Sequence, residues 1–133
     1  YIYENYKATQ EQRKAKWRQI EKKYLPHKVY ENNEMMEKGC FWFRQGHIFS
    51  APFYYIDYTL AQICALQYFI RSRMNRDKAW NSYLHLCSLG GSKPFLELVK
   101  EAGLDNPFND GTIAKVMKEV EVILDTFDDK NIK

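Results

Sequence analysis

No two cysteines in this sequence are spaced Cys-x-x-Cys, and no two histidines are spaced His-x-x-x-His. The first absence removes the usual zinc pairs and dithiol redox motifs, and the second removes the commonest metal site on a single helix. Only three cysteines occur, Cys40, Cys64 and Cys87, far apart and among apolar residues. They form no disulfide framework and read as reduced core thiols of an intracellular, cytoplasmic protein. Glycine and proline are sparse, at six and four, and they fall where helices should start or stop. Neither a Gly-x-Ser-x-Gly elbow nor a phosphate loop is present, so two common routes to nucleophilic and nucleotide chemistry are closed. No sign of charge dominates either. Twenty basic residues stand against 17 acidic ones, a net charge of +3, too balanced to predict a nucleic-acid partner.

The run 48–70 contains no Lys or Arg and is long enough to span a bilayer. Pro52, Asp57, Gln62 and Gln67 interrupt it. An aspartate near mid-span costs about 2.5–3.5 kcal/mol on insertion scales, so the run is predicted to be a helix buried in a soluble protein and no membrane partner is expected.

What is present is a globular composition: 45% hydrophobic, 28% charged and 16% aromatic, with ten tyrosines among 133 residues. That length suits one domain, or a piece of one. The opening YIYENYKA has no initiator Met and no helix-start signal, and we expect it to begin inside a helix of a longer protein.

No segment alternates with period two, so the predicted class is all-α. Thr9-Gln10-Glu11-Gln12 has capping-box spacing, with Thr9 as N-cap of a helix that Pro26 stops. HKVYENN reads as loop. Glu34 to Arg44 is predicted as a short helix ended by Gly46. Ser50 as N-cap and Pro52 in the first turn should start a long central helix to about Met74. Asp77 should cap the next helix, through Cys87, which Gly90-Gly91 ends; on it His85, between two leucines, is expected to be packed. A short helix from Ser92 and Pro94 closes at Gly103. In the last helix Ile113, Val116, Met117, Val120, Leu124 and Phe127 fall on one stripe.

The stretch most suggestive of chemistry is GHIFSAPFYYIDYTLAQ, positions 46–62. Helical spacing places Tyr54 and Tyr58 one turn apart, Tyr55 three residues from Tyr58, and Asp57 beside Tyr54. His47 stands just ahead. An imidazole and phenols at a helix N-terminus are good donors to a developing oxyanion. The competing reading has the same tyrosines as core aromatics, their hydroxyls bonded to backbone or to Asp57.

HIFSAPFYYIDYTLAQICALQYF closely resembles the C-terminal part of the oligoendopeptidase F and thimet-oligopeptidase-like zinc metallopeptidases. The resemblance extends to TQEQRKAKWRQIEKKYLP before it and WNSYLHLCSLGGSKPFLELVKEAGLDNPF after it. It implies that residues 1–133 are a C-terminal helical segment of the catalytic domain of a larger, two-lobed helical peptidase acting on short peptides. It also implies zinc in the full-length parent, held by a His-Glu-x-x-His helix and a further glutamate. That motif is absent from this sequence, so the fragment's own residues are expected to bind no metal and, alone, to be inactive. By position in the motif, His47, Tyr58 and one of Tyr54 or Tyr55 correspond to the family's donors to the scissile carbonyl. Self-association of the fragment through exposed apolar helix surface is a further expectation. The alternative function is a non-enzymatic helical module that binds a protein or peptide through its tyrosine-rich surface.

Overall fold

The computed structural model describes residues 1–128. Among them the secondary structure is helical throughout, without a strand, as the absence of period-two alternation requires. The chain divides into two compact units, Tyr1–Tyr55 and the remainder from Ile56 onward.

In the first unit YIYENYKA forms turns and not a helix, contrary to expectation. Helix α1, Gln10–Tyr24, starts with the full capping box: Thr9 accepts from the Gln12 N–H and the Gln12 side chain accepts from the Thr9 N–H. The HKVYENN loop after it does more than connect. The Glu21 carboxylate on α1 is only 4% exposed. It accepts from Tyr30 Oη at 2.5 Å and Lys28 Nζ at 3.1 Å, both on the loop, and from Arg18 Nη1 at 3.0 Å. The other guanidinium nitrogen of Arg18 reaches Glu37 at 2.7 Å, and Lys28 Nζ also sits 3.2 Å from the centre of the Phe41 ring.

The predicted helix from Glu34 to Arg44 is two pieces, α2 (Glu34–Glu37) and a 3-10 turn (Phe41–Arg44). Gly39 breaks it at φ 91°. A Cβ on Gly39 would lie 2.1 Å from the carbonyl oxygen of Lys14 on α1, so the close approach of the two segments depends on glycine. Gly46 does not end a helix but begins one, α3 (Gly46–Ser50). Ser50 is therefore no N-cap: its Oγ donates back to the Gly46 carbonyl.

The second unit is built on α4, Ile56–Met74, which starts several residues later than Ser50 and Pro52 suggest. It packs against α5 (Arg76–Leu89) and α7 (Thr112–Asp125), while α5 contacts α6 (Phe95–Glu101). Val99, Ala102 and Leu104 form the buried core with Cys64, Tyr68 and Leu86 against it. Gln67, buried mid-helix on α4, has both ends of its amide paired to one residue. Nε2 donates to the Asp105 carbonyl at 3.0 Å and Oε1 accepts from the Asp105 N–H at 2.8 Å. The carbonyls at the C-cap of α6 and just past it are met by side chains: Ser82 Oγ and Arg71 Nη1 donate to Ala102 O, and Arg71 Nη2 to Gly103 O. These contacts satisfy acceptors that a helix end leaves open.

Several local expectations shift. Asn75 caps α5 by accepting from the Lys78 N–H, leaving Asp77 in the first turn. His85 is exposed on α5 with Glu101 at 3.9 Å, not packed between its leucines. Cys40 is buried and Cys64 half-buried, its thiol pushed up by burial, whereas Cys87 is exposed. On α7 the buried set is Thr112 and Val116, with Val120 and Ile123 half-buried. Ile113, Met117, Leu124 and Phe127, four of the six residues of the predicted stripe, are exposed, and Phe127 lies past the end of the helix. One helix contact is narrower than the apolar arc, so α4 covers only part of it.

Gly39→Ala is expected to destabilise the first unit by about 3 kcal/mol or more, the combined cost of left-handed backbone and a backbone clash; a urea midpoint followed by Trp17 and Trp42 fluorescence measures it. The same probe tests Glu21. Burial pushes its carboxyl up, but the hydrogen bonds from Tyr30, Lys28 and Arg18 outweigh it and hold the group below its ordinary value. Its contribution is therefore complete above the unfolded carboxylate pKa, about 4.3, and is lost as pH falls through the lower folded value. Wild-type stability should drop between pH 5 and pH 3 more steeply than that of Glu21→Gln.

Candidate functional site

The candidate residues lie along one short stretch whose backbone is set by three devices. Helix α3 is closed by the Ala51 N–H bonding to the His47 carbonyl. The Phe49 ring stacks on Trp42 at 5.6 Å with an interplanar angle of 20°, joining α3 to the preceding 3-10 turn. After α3 the chain reverses: the Tyr54 N–H bonds the Ala51 carbonyl at 3.2 Å. Pro52 is the second residue of this turn and Phe53 the third, at φ 68°.

Proline second and a positive φ third is the pattern of a type II turn, whose third place normally goes to glycine or asparagine. A bulky side chain there is a true outlier and costs of order 1–3 kcal/mol. The Phe53 ring is 75% exposed, so burial does little to hold it. The Tyr3 ring lies against it, centroids 5.8 Å apart and planes within 8°.

The reversal brings three of the four predicted residues together. His47, half-buried, meets Tyr55 edge-on with centroids 4.7 Å apart and planes at 85°, and Tyr54 at 6.1 Å and 35°. Two parts of the sequence reading change. His47 is the second residue of α3, not part of an open connection, and Tyr54 and Tyr55 lie in the turn before α4, not on it. Helical i, i+4 spacing therefore does not relate Tyr54 to Tyr58. Tyr58 belongs to the second unit, in the first turn of α4.

Tyr54, Tyr55 and Tyr58 are about half exposed, at 48%, 53% and 55%. They are not core aromatics of this chain. Phenols and an imidazole in such positions offer N–H and O–H donors to an outside group, the equipment for stabilising a developing oxyanion.

Sequence reasoning missed Phe53 and Tyr3. The Ala-Pro-Phe-Tyr order carries a turn signal in its proline, but proline also suits the first turn of a helix. Nothing in the sequence links Tyr3 to position 53.

Among the described residues no group of three or more His, Cys, Asp or Glu side chains converges in a way that could hold a metal ion, so the residues present do not fit a zinc site. No helix among them is long and apolar enough to cross a membrane. A cavity of about 750 Å³ in the second unit is lined by Arg71, Asn75, Lys78 and Ser82 among others. Arg71 and Ser82 there are engaged in closing the end of α6, a structural task.

Comparison with known proteins gives a consistent result. A protein assigned as oligoendopeptidase F is 53% identical over 98% of this chain, with a TM-score of 0.88. A structure of PZ peptidase A with an inhibitor is 54% identical over 98%, also at 0.88. A protein assigned as oligoendopeptidase F from Bacillus anthracis str. Ames is 48% identical over 99%, at 0.72. The chain spans only 20–23% of the length of these proteins. No curated protein matches it. Residues 1–118 match the peptidase family M3, and the chain belongs to that family.

Proposed function

We propose that this chain is the C-terminal helical segment of the catalytic domain of a cytoplasmic, zinc-dependent oligoendopeptidase that hydrolyses short peptides. In this reading it supplies hydrogen-bond donors to the reacting amide and no metal ligand; the ligands belong to polypeptide outside the chain. The observation that carries it is the surface cluster of His47 with Tyr54 and Tyr55 in a chain of the peptidase family. A preorganised donor acts on the charge that develops as the scissile carbonyl becomes tetrahedral, so it contributes mainly to turnover and little to ground-state affinity. Tyr58 and one of Tyr54 or Tyr55 take this role together with the imidazole. Between Tyr54 and Tyr55, the closer ring contact of Tyr55 with His47 favours Tyr55 as the phenol whose position the imidazole fixes.

The outward half of α7, with Ile113, Met117 and Leu124 exposed, is apolar surface of the kind that marks a contact site. In the peptidase reading the remainder of the parent covers it. It is also the observation that favours the second reading, a helical module that binds a protein or peptide without catalysis.

In the full-length parent, Tyr58→Phe is expected to lower kcat by one to three orders of magnitude with little change in KM, the cost of an oxyanion donor worth about 2–4 kcal/mol. Steady-state kinetics on a quenched fluorescent peptide measures this. Unchanged kcat in both Tyr58→Phe and His47→Ala would remove these residues from the reaction. The 133-residue chain by itself should show no chelator-sensitive cleavage of the same peptide, and sedimentation should show it self-associating through its exposed apolar helix surface.

A further inference from the structure

We infer that Phe53 and Tyr3 are positioning residues for the candidate site: the stack of Tyr3 on Phe53 holds the left-handed turn in the conformation that brings Tyr54 and Tyr55 back onto His47. The inference deepens the peptidase reading and rests on it.

The argument begins with the residue type. The third place of the Ala51–Tyr54 turn needs φ near +68°, which glycine or asparagine adopts readily and phenylalanine does not. Stability alone would select one of those two. Burial does not explain phenylalanine either, since its ring is three-quarters exposed. A strained residue persists only where its surroundings over-determine it. The turn contributes one backbone hydrogen bond, from Tyr54 to Ala51 at 3.2 Å. The Tyr3 ring adds a parallel face to Phe53 from a segment fifty residues earlier in the chain.

The consequence is geometric. Tyr54 follows Phe53 directly, so rotating the Phe53 φ back to a negative value swings Tyr54 and Tyr55 away from the imidazole, whose ring centre lies 6.1 Å from that of Tyr54 and 4.7 Å from that of Tyr55. Donors to a transition state lose their value when displaced by about an ångström. A ring that locks the turn therefore governs turnover without touching the peptide.

The test uses the full-length parent and two variants, Phe53→Gly and Tyr3→Ala. Phe53→Gly removes both the strain and the stack, and because glycine populates positive and negative φ about equally the turn is permitted but no longer held. It should leave the melting temperature unchanged or raised while kcat falls about 10- to 100-fold and KM stays within about twofold. That opposition of stability and turnover is not what loss of a merely structural contact produces. Tyr3→Ala should lower kcat to a similar extent, whereas Tyr3→Phe and Phe53→Tyr, which keep both rings, should stay within about twofold of wild type. Wild-type kcat in Phe53→Gly and Tyr3→Ala, in an enzyme that Tyr58→Phe impairs, overturns the positioning role and leaves the peptidase reading standing. Wild-type kcat in Tyr58→Phe and His47→Ala as well overturns both. If Phe53→Gly does not fold, Tyr3→Ala decides alone.

Discussion

A single hydrogen-bonded reversal, from the Ala51 carbonyl to the Tyr54 N–H, determines whether the candidate site exists. Ahead of it α3 presents His47; beyond it the chain runs on through Tyr54 and Tyr55 into α4. Without the reversal these residues would be neighbours in sequence only. With it, imidazole and phenol rings meet at van der Waals range. The turn also holds a phenylalanine where the backbone disfavours one, and local strain of this kind tends to concentrate where function constrains the backbone.

The two units are stabilised by different means. The first has few buried apolar groups and relies on the charged cluster around Glu21, where one carboxylate takes donors from α1 and from the following loop. A buried charge is tolerable when every acceptor site has a partner, and removing one partner leaves the others stranded. The second unit uses a small apolar core plus side chains that close backbone ends, with Gln67 clamping Asp105 and Arg71 and Ser82 capping α6. Among the described residues no large side chain is fully buried. Apolar surface is left over on α7 and beside the tyrosines, which is consistent with a chain matching less than a quarter of the length of similar peptidases.

Those neighbours carry the functional reading further than the local geometry does. The candidate residues are donors: an imidazole N–H on half-buried His47 and the phenol O–H groups of three tyrosines about half exposed. Donors stabilise charge that another group creates. The chain belongs to peptidase family M3; in the proposed reading its donors complete a reaction centre whose electrophile and nucleophile come from elsewhere.

The sequence by itself determined the all-α class and the family, which are written in patterns along most of the chain, and the capping box at Thr9, the end of α1 before Pro26 and the end of α4 at Met74, which are each encoded within a few consecutive residues. It also indicated His47, Tyr54, Tyr55 and Tyr58 as the residues to examine, but with the wrong local geometry. Pro52 serves a helix N-terminus and a tight turn equally well, and only the fold chose the turn. Likewise the break at Gly39 depends on how closely Lys14 approaches, and the paired surroundings of Glu21 on a loop that reads as plain polar connection. Tertiary structure alone decided which part of the α7 stripe is covered and that Tyr3 reaches Phe53. Such pairings join residues distant along the chain, and no local pattern of side chains encodes a distance across space.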